Sequence, residues 1–318
     1  MPYAGKSTLF SALTRTGGVG GRSNQAVVDV PDDRLNVLAE LEHSKKVVAA
    51  KVRFIDVPGG LTAQGIANFR QMDALCSVVG AYGGGADARK ELNDLGAELL
   101  LSDLASIESG LAKAQKKAKS SPESKTEVGV LNEALEILSS ERPLRLAQLD
   151  EAALKLLGGY GLLTLKPQII IANVEEGQNL PEGLPDGAIA VSAALEAEVA
   201  GMDELEAREL LEGFGVAKPS LDRVIQASYR ALDLITFLTT GDDETRAWEV
   251  RRGAKAPDAA GAIHTDLQRG FIRAEVVSYD NLVTAGSWAA AKDKGWLRVE
   301  GKEYPVAEGD VMNIRFAV

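Results

Sequence analysis

The stretch Gly5-Lys6-Ser7-Thr8-Leu9-Phe10 places a lysine and two hydroxyls directly after a glycine. This is the closing half of G-x-x-x-x-G-K-[ST]. In that loop backbone N–H groups cradle phosphates, the Lys reaches the β/γ oxygens and the Ser/Thr hydroxyl binds Mg²⁺. A helix starting there adds the positive end of its dipole to the anion site. Tyr3 and Ala4 belong to the same loop. Asp56-Val57-Pro58-Gly59 has the form D-x-x-G, in which the Asp holds Mg²⁺ through water and the Gly amide meets the γ-phosphate. Either motif alone also reads as an ordinary turn. The two together, about 50 residues apart, predict a triphosphate site.

Asn173-Val174-Glu175-Glu176 sets an Asn and a carboxylate where N-K-x-D reads a guanine edge. Glu176 is one methylene longer than that Asp, and Val174 replaces the Lys that packs under the base, so selection for guanine should weaken. Gly60 stands where many GTPases carry a Gln that orients the attacking water. With no side chain there, hydrolysis by this chain alone is expected to be slow, and no residue is assigned as catalytic. His43, in a charged loop, and His264 offer no replacement.

Such residues need a sheet to hold them. Val52–Val57, Gln168–Asn173 and Ala188–Ala193 read as buried strands, and Leu75 to Tyr82 as a fourth. Asp56, Asn173 and Ser192 lie at or just beyond carboxyl ends of these strands, the place where open α/β sheets bind ligands. A helix follows Lys6, with Leu9, Phe10 and Leu13 on one face and Gly17-Gly18 as its stop. Another carries Leu35, Leu38 and Leu41 after a Pro31-Asp32-Asp33 cap, and residues 62–73 read as a third.

From 88 to 140 the pattern changes. Leu92, Leu95, Leu99, Leu104, Ile107, Leu111 and Ala114 recur at helical spacing, and so do Val128, Leu131, Leu135 and Leu138. With Ser120-Ser121-Pro122 between them, they predict two long helices paired as an antiparallel hairpin. Lys113, Lys116, Lys117 and Lys119 cluster near its turn. They read either as a solvated helix end, with cations favoured at a C-terminus, or as an RNA or ribosome contact. Residues 144–157 read as a further helix, and from about Ala231 short strands form a small mixed domain.

Composition bounds the function. The 318 residues carry 45% hydrophobic and 25% charged side chains, enough for two or three domains with substantial cores. A net charge of −11 argues against non-specific nucleic-acid binding through the whole surface. Cys76, alone, precludes an intramolecular disulfide and fits a reducing cytoplasm. No apolar run is long enough to span a membrane.

Several segments together resemble the YchF / Obg-like ATPase family over nearly the whole chain. They include Gly5 to Thr14, Val30-Pro31-Asp32-Asp33-Arg34-Leu35, Phe54-Ile55-Asp56-Val57 and Ala114-Gln115-Lys116-Lys117-Ala118-Lys119. Leu163-Thr164-Leu165-Lys166-Pro167, Ile171 to Glu176, Arg246-Ala247-Trp248, Ile263 to Ala274 and Gly309-Asp310-Val311-Met312-Asn313 extend the match. The resemblance implies an α/β fold: a P-loop NTPase doubly wound sheet, an inserted α-helical coiled-coil hairpin and a C-terminal β-grasp, TGS-like domain. The expected division is 1–86 and 143–232 for the nucleotide domain, 87–142 for the hairpin and 233–318 for the TGS-like domain. It further implies an Asn-x-x-Glu motif favouring ATP, with Val174 beside the adenine, and association with ribosomes or RNA through the hairpin and TGS-like domain.

The expectation is therefore a cytoplasmic, Mg²⁺-dependent ATP-binding protein with weak hydrolysis and no membrane partner. Its nucleotide contacts would be Tyr3, Ala4, Gly5, Lys6, Ser7, Thr8, Gly59, Asn173, Val174, Glu176 and Ser192, and its metal contacts Ser7 and Asp56. GTP is a possible alternative ligand. A non-catalytic ribosome- or RNA-binding module is the alternative function, because the stretches matching the family's switch regions are shortened and its loop histidine has no counterpart in Gly83-Gly84-Gly85-Ala86-Asp87. Tyr3 stands where the family usually has Asn. The motif's first Gly would fall immediately before Met1, and a form extended by roughly ten residues, carrying the strand that feeds the loop, is expected to bind nucleotide more tightly.

Overall fold

The computed structural model describes residues 4–15, 24–57, 60–83, 86–119, 123–216 and 219–317. In chain order the elements begin with α1 (Lys6–Arg15), β1 (Gln25–Asp29), α2 (Arg34–Glu42), β2 (Val47–Val48), β3 (Lys51–Ile55), α3 (Ala63–Phe69) and β4 (Leu75–Ala81). Then come α4 (Ala88–Ala118), α5 (Glu123–Ser139), α6 (Glu151–Gly158), β5 (Gln168–Val174), β6 (Ile189–Val191), α7 (Ala193–Val199), α8 (Glu204–Gly213) and α9 (Ser220–Ala231). The remainder is β7 (Leu234–Thr239), β8 (Thr245–Arg251), α10 (Ala256–Ile263), α11 (Thr265–Arg269), β9 (Phe271–Ser278), α12 (Tyr279–Ala285), α13 (Trp288–Asp293), β10 (Arg298–Glu300) and β11 (Asp310–Phe316).

Two compact units result. Among the described residues, one holds those of 4–15, 24–25 and 55–224; the other holds those of 26–54 and 225–317. Residues 26–54, read from the sequence as part of the stretch 1–86, thus group with the C-terminal part of the chain.

In the first unit β4, β5 and β6 form a parallel sheet, with Gly80 opposite Asn173 and Asn173 opposite Val191. Parallel neighbours need long crossovers, and the β4–β5 crossover contains the whole hairpin. Ile169 to Val174 is a near-continuous apolar run because helices cover both of its faces. On one face Ala172 and Val174 pack with Val79 of β4 and with Ala88 and Leu92 of α4. Beyond that contact α4 meets a second core, where Leu95 and Leu99 pack with Leu75 and Leu163, and then a third along α5. Its apolar stripe, expected to form one hairpin seam, is therefore divided among three neighbours. Ile107 and Ala114 pack with Leu131, Ala134 and Leu138 to make the seam itself.

One position on that stripe is a carboxylate. Asp103 lies between Leu99 and Ile107 at helical spacing and is fully buried. It accepts hydrogen bonds from the amides of Leu163 (2.9 Å) and Thr164 (2.7 Å) and from the Thr164 hydroxyl (2.8 Å). Arg70 lies 3.6 Å from it and donates to the carbonyls of Gly161 and Ser102 and to the hydroxyls of Ser102 and Ser106. This network fixes the chain entering β5 against α4.

The second unit is built on a mixed six-stranded sheet of order β10-β9-β11-β7-β8-β2. Ile235, Phe237, Val276 and Met312 form its core with Ala256, Ala259 and Ala260 of α10. β1 and β3 pair separately; Val30 donates to Ala50 (2.8 Å) at one end of that pair. Arg34 bonds Asp32 through two nitrogens and lies 2.6 Å from Glu308, whose other oxygen accepts the Thr236 amide (2.8 Å). Burial alone would push the Arg34 guanidinium down, but Asp32 and Glu308 hold it well above its ordinary value. These bonds explain why the segment around Arg34 groups with the C-terminal sheet. The cap of α2 also differs from expectation: the side chain of Asp33 makes no cap bond, and Asp32 accepts the Arg34 amide instead (3.1 Å).

Helices α10 to α13 were not legible as helices in the strand-rich C-terminal stretch. Their signals are local. Asp258 accepts the Lys255 amide (3.0 Å) at the start of α10, while Ser278 and Ser287 cap α12 and α13. Residues 144–157 form a 3-10 turn at Leu144–Leu146 followed by α6, which Asp150 caps through the Ala153 amide (2.7 Å). No helix among the described residues is long and apolar enough to cross a membrane.

Candidate nucleotide site

Helix α1 opens without an acidic residue in its first turn, so no carboxylate there competes for its N-terminal amides. The first i→i−4 bond is donated by Leu9 to Gly5 (2.9 Å), which places the Lys6, Ser7 and Thr8 amides in the first turn of the helix, the kind of position at which helices bind anions. Ser7 and Thr8 are exposed, Lys6 is half-buried, and Leu9, Ala12 and Leu13 are buried. The helix is therefore anchored on one side while its first turn presents hydroxyls.

What ties this turn to the sheet is Asn173. Its side chain is buried at the end of β5, donating from Nδ2 to the Ala4 carbonyl (3.2 Å) and accepting at Oδ1 from the Ala193 amide (2.9 Å). One amide thereby joins the loop before α1, the end of β5 and the N-terminus of α7. Gly5 makes the approach possible. Its φ is +82°, and a Cβ there would lie 2.1 Å from Asn173 Nδ2. An amide side chain has two donor and two acceptor positions, so Asn173 keeps capacity for a ligand after making both bonds.

Ser192 is the N-cap of α7, and its hydroxyl accepts the Leu195 amide at 3.3 Å. It lies next to Ala193 and therefore beside the Asn173 clamp. Glu176 follows β5 and is exposed. The Val174 side chain is buried, in a cluster with Ala88 and Leu92 on the α4 face. Strand alternation is the reason, since neighbours on β5 point to opposite faces and Asn173 takes the α1–α7 side.

Asp56 follows β3, and its amide donates to Asn24 (2.8 Å). Among the described residues no hydrogen bond joins its carboxylate to Ser7. Tyr3 and Gly59 lie outside the described residues, as do the Gly17-Gly18 stop and the Ser120-Ser121-Pro122 turn. No group of three or more His, Cys, Asp or Glu among the described residues could hold a metal ion. A Ser7 hydroxyl and an Asp56 carboxylate are hard oxygen donors, and Mg²⁺ retains waters and takes phosphate oxygens besides one or two protein ligands. The donor set fits Mg²⁺ bound with a nucleotide.

Sequence reasoning passed over the residues that hold the surrounding loops. Glu175 accepts the Gly83 amide (3.0 Å) and the Gln178 side-chain amide (3.0 Å), and Glu91 accepts the Gly80 amide (2.9 Å). Nothing in their spacing announces this. Asp103 did leave a signal, being a carboxylate on an otherwise apolar stripe.

A cleft of about 690 Å³ lies elsewhere in the first unit, along α4, where Arg70, Ser102, Ser106, Ser109, Lys113 and Tyr160 are among its walls. None of the phosphate-loop or Asn173 residues lines it. Tyr160 donates to Glu127 there (2.6 Å); burial and that carboxylate push its phenol up to about 12. Much of the cleft's polar lining is already engaged within the protein, whereas the first turn of α1 presents hydroxyls beside a helix N-terminus.

A parallel sheet covered by helices, a Gly-Lys-Ser-Thr turn opening α1 and a long helical hairpin between β4 and β5 define a P-loop NTPase-type α/β protein. The chain belongs to the YchF family. Residues 234–317 match the family model described as YchF-GTPase_C, a protein of unknown function (DUF933). A relative from Haemophilus ducreyi named ribosome-binding ATPase YchF is 38% identical over 354 aligned positions, covering 100% of this chain and 98% of the relative. Its namesake from Bacillus subtilis is 37% identical over 357 positions with the same coverage. Among solved structures, the Schizosaccharomyces pombe YchF GTPase superposes with a TM-score of 0.91 at 28% identity, covering 99% of this chain and 96% of that one. A GTP-binding protein from Pyrococcus horikoshii OT3 shares the fold, with a TM-score of 0.63 at 18% identity over 99% and 98% of the two chains.

Proposed function

We propose that this chain is a Mg²⁺-dependent, ATP-preferring nucleotide-binding protein with slow intrinsic hydrolysis and a role at the ribosome. The observation that carries the nucleotide reading is the buried Asn173 amide, which holds the Gly5-Lys6-Ser7-Thr8 turn against the carboxyl end of β5. Relatives of nearly full coverage named ribosome-binding ATPases support the ligand and the partner.

In this reading the amides of residues 5–8 and the dipole of α1 take the phosphates, and Lys6 neutralises β/γ charge. Ser7 and Asp56 hold Mg²⁺, which draws off phosphate charge when bound, and Gly59 meets the γ-phosphate. Asn173 and Glu176 read the base edge, with Ser192 supporting the α7 side, while Val174 contributes by packing the strand end. Hydrolysis is slow because Gly60 offers no side chain to orient water. Lys113, Lys116 and Lys117 in the last turns of α4, together with the C-terminal domain, which we read as TGS-like, supply the ribosomal contact.

Equilibrium titration with Mg·ATP and Mg·GTP tests the reading. Wild-type protein should bind ATP more tightly than GTP. Lys6→Ala should weaken ATP by about tenfold or more, the loss of one charge-assisted contact. Tighter GTP binding, or an unchanged ATP affinity in Lys6→Ala, would sink it.

A further inference from the structure

Phosphate and metal chemistry leaves Glu175 and Glu91 without a role, yet both hold the chain between β4 and α4. Glu91, in the first turn of α4, accepts the Gly80 amide near the end of β4. Asp87 caps α4 by accepting the Lys90 amide (2.9 Å). Glu175 reaches the same connection from the other side, accepting the Gly83 amide. It sits in sequence between Val174, which packs on Ala88 and Leu92, and Glu176. The stretch 173–176 therefore touches α4 through an apolar side chain and the connection leading into α4 through a carboxylate. From that connection α4 is continuous for 31 residues, roughly 46 Å at helical rise. Its last turn carries Lys116 and Lys117.

We propose that Glu175 is a positioning residue that couples occupancy of the nucleotide site to the root of the helical hairpin. The inference rests on the nucleotide reading of Asn173 and Glu176. A base held by Asn173 and Glu176 fixes the backbone between them. Glu175 lies on that backbone, so its grip on Gly83 tightens or loosens with the ligand. A ligand shifts such an equilibrium only by its differential interaction with the two states, and here the Glu175–Gly83 bond supplies the difference. The coupling is reciprocal, so an object that grips the far end of α4 alters nucleotide affinity by the same factor.

Amide hydrogen exchange across residues 80–95 of the full chain, with and without Mg·ATP, tests this in wild type, Glu175→Ala and Glu175→Gln. ATP should slow exchange in wild type by about fivefold, a typical coupling. Glu175→Ala should lose that response and, by the same reciprocity, bind ATP about fivefold more weakly than wild type, while its melting temperature is unchanged. Glu175→Gln, whose carbonyl still accepts the Gly83 amide, should restore most of the response. An equal ATP response in Glu175→Ala would overturn the proposal. So would faster exchange in that variant by the same factor with and without ATP, which marks a purely structural tether. ATP binding by wild type without any response at 80–95 overturns the coupling alone. No ATP binding by wild type, seen in the titration itself, overturns the nucleotide reading and the coupling with it.

Discussion

Asn173→Ala should lower the unfolding free energy of the first unit by about 3 kcal/mol, the cost of two unsatisfied buried groups, and abolish measurable ATP binding. The Ala4 carbonyl and the Ala193 amide each lose their side-chain partner. A buried polar group left unpaired costs about 1–3 kcal/mol, and the space vacated beside Gly5 adds a cavity term. The turn before α1 would then lack its attachment to β5, and the amides of residues 5–8 would lose the preorganisation that makes them an anion site. Asn173→Asp makes a discriminating comparison. It keeps the acceptor for Ala193 but sets a carboxylate oxygen against the Ala4 carbonyl, so it should bind ATP as poorly as the alanine variant. Chemical denaturation and calorimetric titration read both effects. Wild-type ATP affinity in either variant would contradict the role given to this clamp.

Asp103→Ala should cost about 3–5 kcal/mol, the range for removing one partner of a buried charge network. The Leu163 and Thr164 amides lose their acceptors and Arg70 loses its nearest carboxylate. Asp103→Asn should cost less, since its carbonyl still serves one amide, while its NH₂ group faces the second. A fall in the denaturation midpoint with an unchanged slope is the expected reading, together with faster exchange at the Leu163 and Thr164 amides. A loss below about 1 kcal/mol, the size of an ordinary hydrogen bond, would show that the network is dispensable. Because Asp103 lies far along the chain from the phosphate loop, residual folded protein should retain the ATP-over-GTP order.

Local patterns made much of the architecture legible in the sequence. Apolar runs announced β4, β5 and β6, and the spacing of Leu92 through Leu138 announced the hairpin. Long-range pairing was not legible. Nothing in Arg34 indicates that it meets Glu308, and two residues, Val47 and Val48, are too short a strand to betray that they extend the C-terminal sheet beside β8. Helices α10 to α13 were obscured because each is 8 residues or shorter and sits between strong strand signals. At the candidate site the residue types and order were visible, but their division of labour was not. Asn173 and Val174 are adjacent in sequence and were read as sharing one ligand. Strand alternation sends one to α1 and α7 and the other to α4. Glu175, given no role in the sequence reading, is the carboxylate that bonds a neighbouring loop.

In the proposed function ligand phosphates sit on the turn Gly5–Thr8 and the base lies near Asn173. Backbone and Asn side-chain amide chemical shifts, followed as Mg·ATP is added to isotope-labelled protein, test it most directly. The largest shifts should fall on the amides of Gly5, Lys6, Ser7 and Thr8 and on the Asn173 side-chain amide, with smaller ones at Ser192 and Ala193. Shifts confined to the cleft along α4 or to the C-terminal unit, with residues 5–8 unmoved at saturation, would contradict it.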